Sequence, residues 1–232
     1  MEEQSKMQKI RSHFEEEAKE FDQIILKLIP YYKQMIEALI SAIPFEKDSE
    51  IKVIDLGCGT GNIIKRIQEE FPNAKLTVLD LSENMIEMTK LKLGEGNEVI
   101  CYIDDFYKFD FSQKYDVIVS SLALHHLISA EDKKVFYRKI YGALSPEGVF
   151  YNADVVLGSN EKLQGMYMKK WVEFMSKSCS RSEIENAWLP KYREEDSPTT
   201  LLNHLIWLQE TGFKDVDVIW KYYNYAVYGG TR

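Results

Sequence analysis

Cysteine is scarce in this chain, with three residues, Cys58, Cys101 and Cys179, among 232. The number is odd and the spacing fits no metal-binding pair. Neither a disulfide framework nor a structural zinc site is expected, and reduced thiols in a cytoplasmic protein are the simplest reading. No apolar run approaches the roughly 18 residues needed to cross a bilayer, and the charged first segment, MEEQSKMQKIRSHFEEEAKEF, has no secretory apolar core. A membrane partner is therefore not expected. Positive charge is also in deficit: 29 Lys and Arg against 37 Asp and Glu give a net charge of −8. That balance disfavours broad contact with a phosphate backbone, although a local basic patch stays open. Repeats and low-complexity linkers are absent, and a chain of this length buries about 70–75% of its unfolded surface without staples.

What the chain does have is the run Val53-Ile-Asp-Leu-Gly-Cys-Gly-Thr-Gly-Asn62. Ile51, Val53, Ile54 and Leu56 read as a buried strand, and Gly57, Gly59 and Gly61 as a tight turn. A helix carrying Ile63, Ile64, Ile67 and Phe71 follows and stops before Pro72. Glycine suits a strand-to-helix turn whose backbone angles are unusual and whose backbone must approach a ligand. Leu76–Asp80 is a second apolar strand ending in a carboxylate, at the distance where nucleotide-binding α/β folds place an acid for the ribose hydroxyls. The chain is therefore expected to bind a ligand containing a nucleoside. The glycines run G-x-G-x-G, and Ile64 stands where the dinucleotide fingerprint has its third glycine, which disfavours NAD.

Strand and helix patterns alternate from Ile51 to about Asp154, with further strands at Glu98–Ile103, Tyr115–Ser120 and Val149–Val156 and a helix from about Ala130 to Leu144. The expected fold is an α/β, Rossmann-like, doubly wound and mostly parallel sheet in a single domain, 1–232. Val216–Tyr222 and Tyr225–Tyr228 read as a terminal antiparallel hairpin at the sheet edge. Helical additions are expected at the start (1–45, a helical segment over Met7–Ala42 interrupted at Pro30) and between strands five and six (157–212). In the second, helices are expected at Asn160–Ser178, near Ser182–Trp188 and at Thr199–Thr211. Both additions would cover the carboxyl ends of the strands, where ligands bind in open α/β sheets.

Asp55, the G-x-G-x-G turn and Asp80 together resemble motif I and its following acid in the class I S-adenosylmethionine-dependent methyltransferases. Tyr115–Leu127 (YDVIVSSLALHHL) is similar to the segment after the fourth strand in many small-molecule methyltransferases, and Leu144-Ser-Pro-Glu-Gly148 to the turn before their fifth. Ile29-Pro-Tyr-Tyr32 and Trp220-Lys-Tyr-Tyr-Asn-Tyr225 resemble the carboxy-S-adenosylmethionine synthase family, whose product serves wobble-uridine modification of tRNA. That family has serine at the position of Gly59. Its arginine for the extra carboxylate stands beside an Asp-Ser pair, whereas here Arg193 lies three residues before Asp196.

The resemblance implies S-adenosylmethionine as cofactor. It implies that Gly57, Cys58 and Gly59 bring their backbone to it, with Asp55 ordering the turn or meeting the ammonium. Asp80 would hold the ribose through two acceptor oxygens, and Leu81 and Met85 would flank the adenine. Asp105 with Phe106, or Asp104 one residue earlier, would recognise the adenine edge. Ser121 and Leu122 would sit near the methyl group, and Tyr32 would close over the cofactor. His125 or His126 is a candidate general base for the acceptor, with at most one expected to face the site. No metal is expected at Asp104 and Asp105, because no His or third acid lies nearby in sequence. The expected function is methyl transfer to a small-molecule acceptor by a monomer or homodimer. A carboxy-S-adenosylmethionine-related enzyme and a non-catalytic cofactor-binding protein are the alternatives.

Overall fold

The structure, a computed structural model, describes residues 2–18, 20–94, 96 and 98–232. Three helices lead: α1 (Glu2–Glu17), α2 (Phe21–Leu28) and α3 (Tyr32–Ser41). The alternating core follows as β1 (Lys52–Leu56), α4 (Asn62–Glu70), β2 (Lys75–Asp80), α5 (Glu83–Leu93), β3 (Val99–Ile103) and β4 (Tyr115–Ser121). A 3-10 turn at Leu124–His126, α6 (Ala130–Ala143) and β5 (Leu144–Val155) complete it. The second addition comprises α7 (Glu161–Met175), α8 (Arg181–Glu183), a π turn (Ile184–Trp188), α9 (Leu189–Glu195) and α10 (Leu201–Thr211). The chain closes with β6 (Lys214–Tyr222) and β7 (Tyr225–Thr231).

The strands form one sheet in the order β3-β2-β1-β4-β5-β7-β6, with β1 to β5 parallel and β7 antiparallel to both neighbours. The apolar runs of β1, β2 and β4 are buried on both faces, the condition that favours a parallel sheet between two helical layers. One core, around Val53, Ile64, Val78 and Val117, packs beneath α3 and α4. The other, around Ile54, Leu56, Ile118 and Phe136, packs beneath α6. Helix starts are set locally. Ser82 Oγ accepts the Met85 N–H to open α5, and Ser129 with Asp132 forms a capping box for α6.

Three features differ from the sequence reading. The N-terminal segment breaks twice, after Glu17 as well as at Pro30. The extra bend lets α1 reach the start of α5 while α2 lies on the glycine turn. α9 follows the π turn without a gap, because Pro190 falls in its first turn, where a missing N–H leaves no bond unmade. Finally, β5 starts at Leu144, paired with Tyr115 ahead of a bulge at which Glu147 has φ 64°. The terminal hairpin stands at the sheet edge as expected, with β7 against β5 and β6 outermost.

Candidate active site

The turn after β1 is held by geometry that only glycine permits at two positions. Gly57 (φ +73°) leaves so little room that an added Cβ would stand 2.3 Å from that of Ala123. At Gly61 (φ +82°) it would meet Thr89 at 2.9 Å. Gly59 is different: its φ is +53°, but the nearest atom to an added Cβ is Phe21 at 3.7 Å, so the serine of the resembling family would fit sterically. The Gly57 and Cys58 N–H groups donate to the Leu79 carbonyl, at 2.8 and 3.0 Å, which locks the turn to the end of β2.

Two carboxylates face this turn in different states. Asp80 accepts the Gly59 N–H at Oδ2 (2.8 Å) and the Ser82 N–H at Oδ1 (2.9 Å), so its position is fixed by backbone. Burial pushes its carboxyl up to about 6, against these bonds. Asp55 is 1% exposed and neither of its oxygens has a hydrogen-bond partner. Burial, then the charge of Asp80, pushes it up to about 8. A buried carboxylate without a partner is costly unless a ligand supplies one.

Around these groups lies a pocket at the carboxyl ends of β1, β2 and β4. It is lined by Asp55, Gly57, Cys58, Gly59 and Asp80 from the strand ends and by Leu81, Met85, Phe106, Ser121 and Leu122 from the following segments. Tyr32 lines it too; its hydroxyl meets the side chains of Asn62 and Ser121, and burial raises its pKa. Asp104 and Asp105 are not among its lining residues. The Asp105 carboxylate accepts from the Lys108 N–H and pairs with Lys108 Nζ at 2.9 Å, while Asp104 accepts the Asp105 N–H. Of that trio only Phe106 reaches the pocket.

The roof comes from the N-terminal helices, which the sequence placed over the sheet without specifying contacts. Met7, Ile10, Phe14, Phe21 and Ile25 line the pocket's outer side. Asp22 accepts from Thr60 Oγ1 (2.5 Å), Asn62 Nδ2 (2.9 Å) and Lys92 Nζ (2.7 Å), fastening α2 to the glycine turn. Glu15 accepts the Glu83 and Asn84 N–H groups at the start of α5. On the far side, His13 meets Glu195 at 2.7 Å and Lys6 donates to Ser197.

Phe14, Phe21, Ile25, Leu122 and His126 are shared with a second pocket. This one lies between α1, α2 and the second addition, with Trp171, Trp188, Tyr192 and Tyr225 as aromatic walls and His125, Glu195 and Asp196 as polar groups. Leu122 sits where the two meet. Its backbone is left-handed (φ 50°), an unfavourable conformation for leucine, held by its N–H donating to the Ala153 carbonyl.

Both histidines face the second pocket, contrary to the expectation that only one could; the tight 3-10 turn brings their rings to 4.2 Å. His125 Nδ1 bonds Asp154 Oδ1 at 2.6 Å, and its Nε2 lies 3.4 Å from Asp196 Oδ1. Burial lowers its pKa, but Asp154 and Asp196 outweigh burial and hold it at about 10. His126 is pushed down to about 3, by burial and then by the charge of His125. Neither imidazole has the near-neutral pKa that general-base work favours. Asp154 and Asp196 carry this arrangement, and neither was a candidate from sequence for this role. Asp154 lies one residue before the end of β5, and Asn152, Tyr228, Tyr137 and His204 continue a buried polar chain behind it. In the sequence the question of a metal arises only at Asp104 and Asp105, whereas in the fold His125, His126 and Asp196 each place a donor atom within 4.8 Å of the others.

Arg193 is exposed and borders an outer groove between α7 and α9 with Gln164, Met168 and Tyr192; it is not among the residues lining either pocket.

Residues 53–148 match a family described as a methyltransferase domain. The carboxy-S-adenosyl-L-methionine synthase of Nautilia profundicola is 26% identical over 216 residues, covering 92% of this chain and 91% of that protein. The malonyl-[acyl-carrier protein] O-methyltransferase of Bacillus anthracis is 31% identical over 119 residues, 50% of this chain and 43% of that protein. Among solved structures, human N-acetylserotonin methyltransferase in complex with S-adenosylmethionine superposes with a TM-score of 0.58 at 16% identity. That alignment covers 85% of this chain and spans about half, 51%, of the human one.

Proposed function

We propose that this chain is a class I S-adenosylmethionine-dependent methyltransferase and that it transfers the cofactor's methyl group to a small molecule seated in the second pocket. The observation that carries this reading is the junction at Leu122 and His126, where a turn-and-carboxylate pocket opens into an aromatic one. In the first pocket, the unpartnered Asp55 suits the cofactor's ammonium and the fixed Asp80 its ribose. Leu81, Met85 and Phe106 give the adenine an apolar setting, and Tyr32 closes the side towards α3. The bound cofactor supplies an electrophilic methyl group for a single in-line displacement. The protein's part is alignment and exclusion of water, which the roof of α1 and α2 and the aromatic walls provide. With free cysteines and no membrane-crossing helix among the described residues, we place the enzyme in the cytoplasm, as a monomer or homodimer.

A second reading, a carboxy-S-adenosylmethionine-related enzyme, is favoured by the near full-length match to the Nautilia protein. The position of Arg193 outside both pockets disfavours it. Native mass spectrometry of the purified protein, with calorimetric titration of S-adenosylmethionine and NADH, separates the readings. S-adenosylmethionine or its demethylated product as the bound mass supports methyl transfer, followed by turnover in an acceptor panel. A mass heavier by one carboxyl group moves the second reading ahead. Binding of NADH alone refutes both.

A further inference from the structure

We propose that His125, His126 and Asp196 form a site for one divalent transition-metal ion of the zinc type, open on one side to the second pocket, where the ion would take an oxygen of the acceptor. Three observations converge on it. His125 Nε2 and Asp196 Oδ1 lie 3.4 Å apart. That is long for a charge-assisted hydrogen bond, about 2.7–2.9 Å, but it is the separation of two ligands on one tetrahedral ion at about 2.0–2.1 Å. His126 Nδ1, 3.8 Å from the same oxygen, supplies a third donor atom.

The second observation is what stands behind His125. Its other nitrogen bonds Asp154 at 2.6 Å, and Asp154 is fixed in turn by the Val155 N–H and Asn152 Nδ2. A ligating histidine almost always gives its second N–H to such a carboxylate, which sets the tautomer; the ion would displace the proton that Nε2 holds towards Asp196 in the empty site. The third is charge. Asp154 and Asp196, 1% and 19% exposed (the latter by side chain), bring two negative charges to the buried imidazoles and balance a divalent ion without further protein groups. Two imidazoles with one carboxylate and a free position suit zinc, cobalt or ferrous ion rather than calcium or magnesium, which prefer oxygen. Metal binding as such does not rest on the methyltransferase reading; the acceptor's oxygen as fourth ligand does.

The test is a titration of the chelator-treated full chain with cobalt(II), followed by visible absorption, and with zinc as competitor. The expected result is one saturable equivalent with a tetrahedral-type spectrum that zinc abolishes. Asp196→Asn and His126→Ala should each weaken cobalt binding at least about 10-fold, and Asp154→Asn about 10–100-fold. Circular dichroism should stay as in the parent for all three, and S-adenosylmethionine affinity should stay so for Asp196→Asn and Asp154→Asn, which do not line the first pocket; that separates ligand loss from misfolding. Absence of saturable binding by the parent chain overturns the proposal, as does affinity unchanged in Asp196→Asn. Because the readout needs no methyl transfer, failure of the methyltransferase reading would leave the result interpretable.

Discussion

The first pocket takes its main polar groups from the ends of β1, β2 and β4 and the turn after β1, whereas the second gathers His13, His125, Trp171, Asp196 and Tyr225 from along the whole chain. In the first, backbone does the positioning: glycine angles fix the turn and N–H groups fix Asp80. In the second, packing of α1, α2, α7 and α9 does it, through contacts such as Trp171 Nε1 donating to the Leu28 carbonyl at 2.7 Å. A pocket made by added helices can change its ligand without disturbing the sheet, while the turn cannot change without disturbing both.

The sharpest way to break that contrast is substitution within the turn. Gly57→Ala should destabilise the protein by roughly 2–4 kcal/mol, from overpacking against Ala123 and the left-handed backbone. Gly59→Ser should cost only about 1 kcal/mol, since strain is its sole penalty. Thermal unfolding of the pair measures the difference, and equal losses would show that the turn is not held as described. Next in size, Asp80→Asn can no longer accept two backbone N–H bonds and should lower S-adenosylmethionine affinity by roughly 10–100-fold, about 1.5–3 kcal/mol. Calorimetry that finds unchanged affinity would remove Asp80 from the cofactor site.

The second pocket should respond separately. Trp188→Ala is expected to weaken binding of whichever acceptor the panel identifies by on the order of 10-fold, as lost apolar contact. S-adenosylmethionine affinity should move by less than about twofold, since Trp188 is not among the residues lining the first pocket. A matching loss of cofactor affinity would mean the pockets are not independent.

A smaller effect should appear in the pH dependence. Asp55 folds with its carboxyl at about 8, above its ordinary value, so the folded state holds the proton more tightly than the unfolded chain. Its stabilising contribution is complete below about pH 4 and is lost as pH rises towards 8. The thermal midpoint of the cofactor-free protein should therefore fall more steeply between pH 6 and 8 than that of Asp55→Asn. Binding of a cationic ammonium should release the proton, seen at pH 7 as a binding enthalpy that depends on the buffer. Identical pH profiles for parent and variant would contradict the unpaired state of Asp55. Smallest of all, Arg193→Ala should leave stability within about 0.5 kcal/mol and cofactor affinity unchanged, because the side chain lies outside both pockets. A loss of cofactor binding there would revive the carboxylated-cofactor reading.

The sequence by itself determined the parallel core, the glycine turn and the acids after β1 and β2, because strand burial and left-handed turns constrain neighbouring residues and leave a local pattern. It also marked Ser121 and the His125-His126 pair as lying at the end of β4, although not what they would meet. Only the tertiary structure decided that Asp105 is spent on Lys108, that α1 and α2 roof the first pocket, and that β7 inserts beside β5. The meeting of Asp154 and Asp196 at His125 was equally invisible. Asp154 sits near the end of an apolar strand and Asp196 follows a helix whose first turn holds a proline. The electrostatic state of a side chain depends on charges within a few ångströms, and folding sets those distances without regard to separation along the chain.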